Sequence, residues 1–215
     1  MSPFGSCLSA VACLTLAACS TGEEPQAANN AVVAQAPAIS PLDTSPPPRV
    51  PGDENGYLPL TAEGWGPLKI GMTLAEIIEK MGPDSDPEAV GGPDPESCDQ
   101  FRPARAPEGM LVMVEDGRLT SISLIRQAKV KTDRGLGLGA TAADVRATYG
   151  KLEVTPHKYV EAPAEYLTAW AKGGGPTDAP APPGSRGIQY EVNASGNVGA
   201  IHAGGPSILY VEGCA

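Results

Sequence analysis

Basic side chains are scarce in this chain of 215 residues. Lys and Arg number 15 against 25 Asp and Glu, so the formal net charge is −10. A surplus of negative charge opposes binding to nucleic acid and to the anionic head groups of lipids. We therefore expect no nucleic-acid partner and no electrostatic attachment to a membrane.

Residues that commonly carry chemistry are also few. His157 and His202 are the only histidines, and either could serve as a general base. The chain contains no Gly-x-Ser-x-Gly segment of the kind that presents a hydrolase nucleophile. We predict no catalytic residue, and an enzyme that uses His157 or His202 is the alternative hypothesis.

Two segments come close to a ligand-binding motif. Acidic residues crowd a loop at 84–99, but Ala89 and Pro95 stand where an EF-hand loop needs Gly and Glu. Residues 137–142 have the Gly-x-Gly-x-x-Ala form of a dinucleotide loop, but no strand, helix and parallel strand surround them. A solvated acidic loop and a tight turn are the simpler interpretations, so we expect no metal and no cofactor.

The N-terminal apolar stretch is too short to span a bilayer, which needs roughly 20 residues. It ends in Leu16-Ala17-Ala18-Cys19, and polar sequence follows at once. This arrangement resembles the lipobox of bacterial lipoproteins. The resemblance implies a signal peptide at 1–18, cleavage before Cys19 and acylation there. With Ser20 next, it implies an outer-membrane anchor that faces the periplasm. Residues 1–6 lack the usual Lys or Arg, so the signal is atypical or the start is misassigned.

Between the predicted anchor and the rest of the chain, residues 19–55 are rich in Ala, Pro, Gln, Asn and Ser. A segment with so few large apolar side chains cannot bury enough surface to offset its conformational entropy. We predict a flexible, lipidated tether there. Residues 56–215 are numerous enough to form a periplasmic domain with its own core.

Only two of the five cysteines are free to pair if the leader is processed as expected. Cys7 and Cys13 would leave with the signal peptide, and Cys19 would carry lipid. Cys98 and Cys214 remain, and in an oxidising periplasm a disulfide between them is the simplest expectation. Two separate buried thiols are the alternative.

The chain contains an internal repeat, with one copy in each half of the predicted domain. Residues 67–82 recur without a gap as 135–150, each copy with alternating apolar residues, a Gly, and a Thr that opens a helix. Two capping boxes are predicted, Thr73 with Glu76 and Thr141 with Asp144. A helical C-cap is predicted at each closing glycine, Gly82 and Gly150.

Each predicted helix is followed by an antiparallel hairpin. The first runs from Met110 to Glu115 and turns at Asp116-Gly117, and the second runs over 187–192 and turns near 195–196. Further strands are expected at 156–160, 166–170 and 208–211. The sequence predicts the α+β class, with two related helix-plus-sheet halves at about 64–126 and 132–215.

The phrase Gly71-Met72-Thr73, followed by Glu76-Ile77 and Gly82, resembles the helix start of small outer-membrane assembly lipoproteins of the SmpA/OmlA type. The doubling resembles β-lactamase inhibitor protein, which has two tandem copies of that fold. These resemblances imply a non-catalytic module that binds an envelope protein. Inhibition of a periplasmic hydrolase is the alternative that the tandem arrangement suggests.

Aromatic residues make up 5% of the chain, so most of them are expected in the core. Tyr166 and Trp170 alternate along one predicted strand with Thr168, which places both rings on one face of the sheet. We predict these two as a binding surface, because Tyr and Trp dominate the energetics of protein interfaces.

Overall fold

A computed structural model describes residues 56–88, 91–174 and 181–214. The predicted signal peptide, the tether and Cys19 lie outside these residues. The described chain mixes helices and sheets, with strands dominant. In this part of the chain no helix combines the length and the apolar character needed to cross a membrane.

The elements follow one another in two series. The first consists of β1 (Leu60–Thr61), β2 (Gly64–Trp65), β3 (Leu68–Lys69), α1 (Leu74–Met81), β4 (Cys98–Phe101), β5 (Met110–Glu115) and β6 (Arg118–Leu124). The second consists of α2 (Ala142–Thr148), β7 (Glu153–Pro156), β8 (Glu165–Lys172), β9 (Arg186–Val192), β10 (Val198–Gly204) and a 3₁₀ helix at Pro206–Leu209. Strands β1 to β3 form a small sheet, and the other seven form a larger one.

The larger sheet is antiparallel and has the order β4-β5-β6-β10-β9-β8-β7. Two series of consecutive strands therefore meet where β6 pairs with β10. The β5–β6 hairpin turns as its sequence predicts, because Asp116 and Gly117 have φ values of 48° and 71°. A two-residue turn with two positive φ angles matches the twist of the strands that it joins.

The first face of the larger sheet is the apolar core face. Side chains alternate along each strand, and those on this face pack with the buried residues of α1, α2 and the small sheet. Ile77 and Met81 come from α1, Val145 from α2, and Trp65 and Leu68 from the small sheet. The helices are therefore held by burial of one narrow apolar stripe each.

The second face carries polar residues, and the C-terminal segment, 205–214, crosses part of it. Gly205 N donates to Thr120 O, and the 3₁₀ helix packs on β6, β9 and β10. The disulfide Cys98–Cys214, with a Cα–Cα distance of 5.4 Å, then fixes the end of this segment to β4. The predicted pairing of these two cysteines is confirmed.

Both helices start with the same local structure. Thr73 N donates to Glu76 Oε2 (2.8 Å) and Glu76 N to Thr73 Oγ1 (3.3 Å). Thr141 N donates to Asp144 Oδ2 (2.9 Å) and Asp144 N to Thr141 Oγ1 (3.1 Å). Each pair forms a capping box, which satisfies two amides that the first helical turn leaves without partners.

The backbone around the two helix starts also follows one pattern. In each case the residues just before the helix, and the first residue of the helix, bond to the turn of the next hairpin and to the strand that follows it. At the first, the bonds are Gly71 N to Leu119 O, Leu119 N to Met72 O, and Leu74 N to Gly117 O. At the second, they are Gly139 N to Val198 O, Val198 N to Ala140 O, and Ala142 N to Gly196 O.

Three sequence-based predictions differ from the structure. Gly82 is the C-cap of α1, with φ of 80°, but α2 ends at Thr148 and its C-cap is Tyr149, not Gly150. Tyr149 has an extended backbone, and its hydroxyl lies 2.9 Å from that of buried Tyr190. The predicted strand at 208–211 overlaps the 3₁₀ helix that Pro206 begins, and the strand predicted at 156–160 is instead β7, which ends at Pro156.

Candidate functional site

A row of polar side chains crosses the second face of the larger sheet. Ser123, His202, Gln189 and Thr168 are successive cross-strand neighbours on β6, β10, β9 and β8. Ser123 Oγ lies 2.8 Å from His202 Nδ1, and Gln189 Nε2 donates to Thr168 Oγ1 at 3.2 Å. Buried polar groups are costly unless they are hydrogen-bonded, and these groups satisfy one another.

Glu191 lies beside this row and faces both histidines. Its Oε1 is 3.2 Å from His157 Nε2, and its Oε2 is 3.7 Å from His202 Nε2. The His202 imidazole lowers the pKa of Glu191; burial opposes that shift, and His157 adds to it. The carboxylate therefore stays ionised between two imidazoles, and the sequence-predicted histidines, 45 positions apart in the chain, meet at one acid.

His157 also organises the loop that follows β7, residues 157–163. Its Nδ1 accepts hydrogen bonds from the backbone N–H groups of Tyr159 (3.2 Å) and Val160 (3.3 Å). The ring stacks on Tyr166, with centroids 4.8 Å apart. Because two donors point at Nδ1, the ring proton must be on Nε2, where it faces Glu191.

Ser123, His202 and Glu191 contain the residue types of a hydrolase triad. A triad needs a serine hydroxyl that a substrate carbonyl can approach. Ser123 is 5% exposed, one residue before the end of β6, and this burial keeps a substrate carbonyl from its hydroxyl. Among the described residues, no group of three or more His, Cys, Asp and Glu is placed to hold a metal ion.

The predicted binding residues Tyr166 and Trp170 do not form an open pair of rings. Tyr166 is 6% exposed and is covered by the His157 ring. Trp170 is half-buried, and its Nε1 donates to Glu153 at 2.8 Å. Both aromatic side chains are therefore used within the fold.

Large exposed side chains gather elsewhere, on the 157–163 loop and the C-terminal segment. We call the set formed by Tyr159, Val160, Tyr210 and Val211 the Tyr159–Tyr210 patch. The exposed fractions are 61% for Tyr159 and 52% for Tyr210, and about two fifths for the two valines. Exposed apolar side chains of this size, in one region, are typical of interaction surfaces.

Lys158 connects the two parts of this patch. Its Nζ lies 3.8 Å from Glu212 Oε1 and 5.1 Å from the centroid of the Tyr159 ring. Lys158 lines a groove of about 780 Å³ on the loop side and another of about 460 Å³ on the side of the C-terminal segment. Both grooves are open to solvent, so a partner could contact both segments at once.

Sequence reasoning missed this patch because its members follow the ends of regular elements. Tyr159 and Val160 follow His157 in a stretch that the sequence predicts as strand, and Tyr210 and Val211 lie in another. The signal that places them together is the predicted Cys98–Cys214 pair, since it fixes the C-terminal segment on the sheet.

Comparison of the chain with protein-family models, with curated proteins and with solved structures found no match. The geometry of the described residues is therefore what indicates a function.

Proposed function

We propose that this protein is an outer-membrane lipoprotein, anchored through Cys19, whose domain binds an envelope protein on the periplasmic side without catalysing a reaction. The observation that carries the binding role is the Tyr159–Tyr210 patch. Tyrosine side chains that remain exposed in the folded protein supply a large contact area at little cost in side-chain entropy. The lipobox motif supports the anchor.

The charges around the patch indicate the partner's chemistry. Glu161 and Glu212 are exposed beside it, and the charge of Glu115 raises the pKa of the Tyr210 hydroxyl. The one cation among these side chains, Lys158, already pairs with Glu212. Complementary surfaces place opposite charges opposite each other, so the partner is an envelope protein with an apolar contact area and a basic rim.

The two helix-plus-sheet halves are proposed to be related copies, similar in arrangement to β-lactamase inhibitor protein. Support comes from the two capping boxes and from the backbone bonds that recur around them. A hydrolase inhibitor would use the same patch, and the identity of the captured partner separates inhibitor from scaffold. The burial of Ser123 speaks against catalysis through His202.

The test is a crosslinking capture of the full, lipidated protein from its native envelope, with partners identified by mass spectrometry. Replacement of Tyr159 and Tyr210 by Ala should reduce recovery of the dominant partner at least tenfold, which is about 1.4 kcal/mol. The matched control replaces Leu74 and Ile78, which are exposed on α1 to a similar degree as the patch valines.

Equal losses in both double variants, or no loss in the Tyr variant, would contradict the proposed surface. A Cys19→Ala variant tests the anchor separately, because it should release the protein from the membrane fraction while the isolated domain keeps its affinity. Weaker capture at high salt would support the basic rim.

A further inference from the structure

The His157 ring holds the 157–163 loop only in one protonation state. Both of its nitrogens are used in the neutral form, Nε2–H toward Glu191 and the Nδ1 lone pair toward the amides of Tyr159 and Val160. A second proton would have to bind Nδ1, where two N–H groups already point. The protonated ring therefore cannot keep these two backbone bonds.

From this geometry we infer that His157 is a pH-dependent latch for the Tyr159–Tyr210 patch. While the ring is neutral, the latch holds Tyr159 and Val160 in place. When the ring takes up a second proton, it stays with Glu191 and releases the loop. The latch itself concerns the free protein; its consequence, weaker partner binding at low pH, rests on the proposed function.

The groups that face His157 favour this outcome. Glu191, on β9, lies opposite Tyr166 of β8, and it attracts the protonated ring more strongly than the neutral one. His202, on β10, shares that carboxylate on its other oxygen. From the loop itself, Lys158 points to Glu212 of the C-terminal segment. A proton on His157 thus strengthens the contact with the sheet and breaks the contact with the loop.

The expected change in the loop-opening equilibrium follows from the binding of one proton to His157. If only the open loop accepts the second proton, we expect the opening equilibrium to rise about tenfold between pH 7.5 and 5.5. The same tenfold change should appear in the protection of the Tyr159 and Val160 amides against hydrogen exchange, after correction for intrinsic rates. The amide of Ile201, inside β10, should not change.

A His157→Asn variant gives the sharpest control. The Asn side-chain oxygen can accept hydrogen bonds from backbone N–H groups two and three residues on, and it does not titrate in this range. Its loop protection should be the same at both pH values. A His202→Asn variant keeps His157 and should retain the tenfold change.

Three results would overturn the latch: unchanged loop protection in the unmodified protein, a pH effect that persists in His157→Asn, or a side-chain ¹⁵N spectrum at pH 7.5 with the proton of His157 on Nδ1. The last measurement needs no variant. Partner capture at pH 7.5 and 5.5 tests the consequence, and equal recovery at both values would overturn the regulation. Failure of capture at both values contradicts the proposed function alone, because loop protection is measured without a partner.

Discussion

The two halves of the domain agree at their helix starts and differ on the second face of the sheet. Around Thr73 and Thr141 the caps and the backbone bonds match. On the second face, the first half is closed by a covalent bond to Cys214, whereas in the second half His157 and Glu191 hold a loop. Every residue except proline carries the same backbone donor and acceptor, so a backbone pattern can recur while side chains close each half differently.

Breaking the closure of the first half should have the largest effect. Replacement of Cys98 and Cys214 by Ser removes a cross-link between residues 116 positions apart. In the chain-entropy treatment this lowers the free energy of unfolding by about 4 to 5 kcal/mol. Urea unfolding of the double variant and the oxidised protein measures it, and a loss below about 1 kcal/mol would show that the C-terminal segment is held mainly by packing.

The similarity of the two halves can be tested by comparing the stability that each helix cap contributes. Thr73→Ala and Thr141→Ala should each cost about 1 kcal/mol, because each removes the acceptor for one helix amide and the partner of one carboxylate. The threonines themselves lower the pKa values of Glu76 and Asp144. The two losses, measured by urea unfolding under one condition, should agree within about 0.5 kcal/mol, and a clear inequality would break the comparison.

The smallest effects should come from two carboxylates with opposite pH dependence. His202, with a smaller contribution from His157, lowers the pKa of Glu191. The ionised Glu191 side chain therefore stabilises the fold above about pH 4.3, the ordinary value for a glutamate. This contribution is lost as the pH falls further and the carboxylate takes up a proton. Burial, with Asp84 nearby, raises the pKa of Asp99 on β4, so its ionisation destabilises the fold as the pH rises.

Glu191→Gln should therefore be less stable than the unmodified protein at pH 6, and the difference should shrink toward pH 3.5. Asp99→Asn should be more stable at pH 6, and its advantage should likewise shrink as the pH falls. Thermal unfolding across this range measures both variants. If both variants were more stable than the unmodified protein at pH 6, or both less stable, the opposite roles given to Glu191 and Asp99 would be contradicted.

Much of the fold could be predicted from local sequence. Thr73 and Thr141 stand three residues before an acid, and the Asp116-Gly117 turn lies between two apolar strands. Such signals involve neighbouring residues, so the chain specifies them without tertiary structure. The disulfide could be predicted because processing of the leader would leave two cysteines.

What could not be predicted depends on contacts between distant residues. Gly150 fits a C-cap by sequence, but the helix ends one residue earlier, at Tyr149, whose hydroxyl contacts that of Tyr190, 41 positions away. Tyr166 was expected in an open aromatic surface, yet the His157 ring covers it, and no periodicity encodes that stacking. The patch that replaces it as the candidate surface depends on how two irregular segments are fixed, which only tertiary structure determines.

The position of the disulfide has a mechanical consequence. Cys98 is the first residue of β4 and Cys214 follows the last element, so all seven strands of the larger sheet lie inside one closed covalent ring. Tension applied between residue 56 and the C-terminus travels along 56–97 and then crosses the sulfur bridge to residue 214. Such a pull can unravel α1 and the small sheet, but the backbone of the larger sheet lies outside the covalent load path, so the larger sheet is loaded only through its noncovalent contacts with residues 56–97.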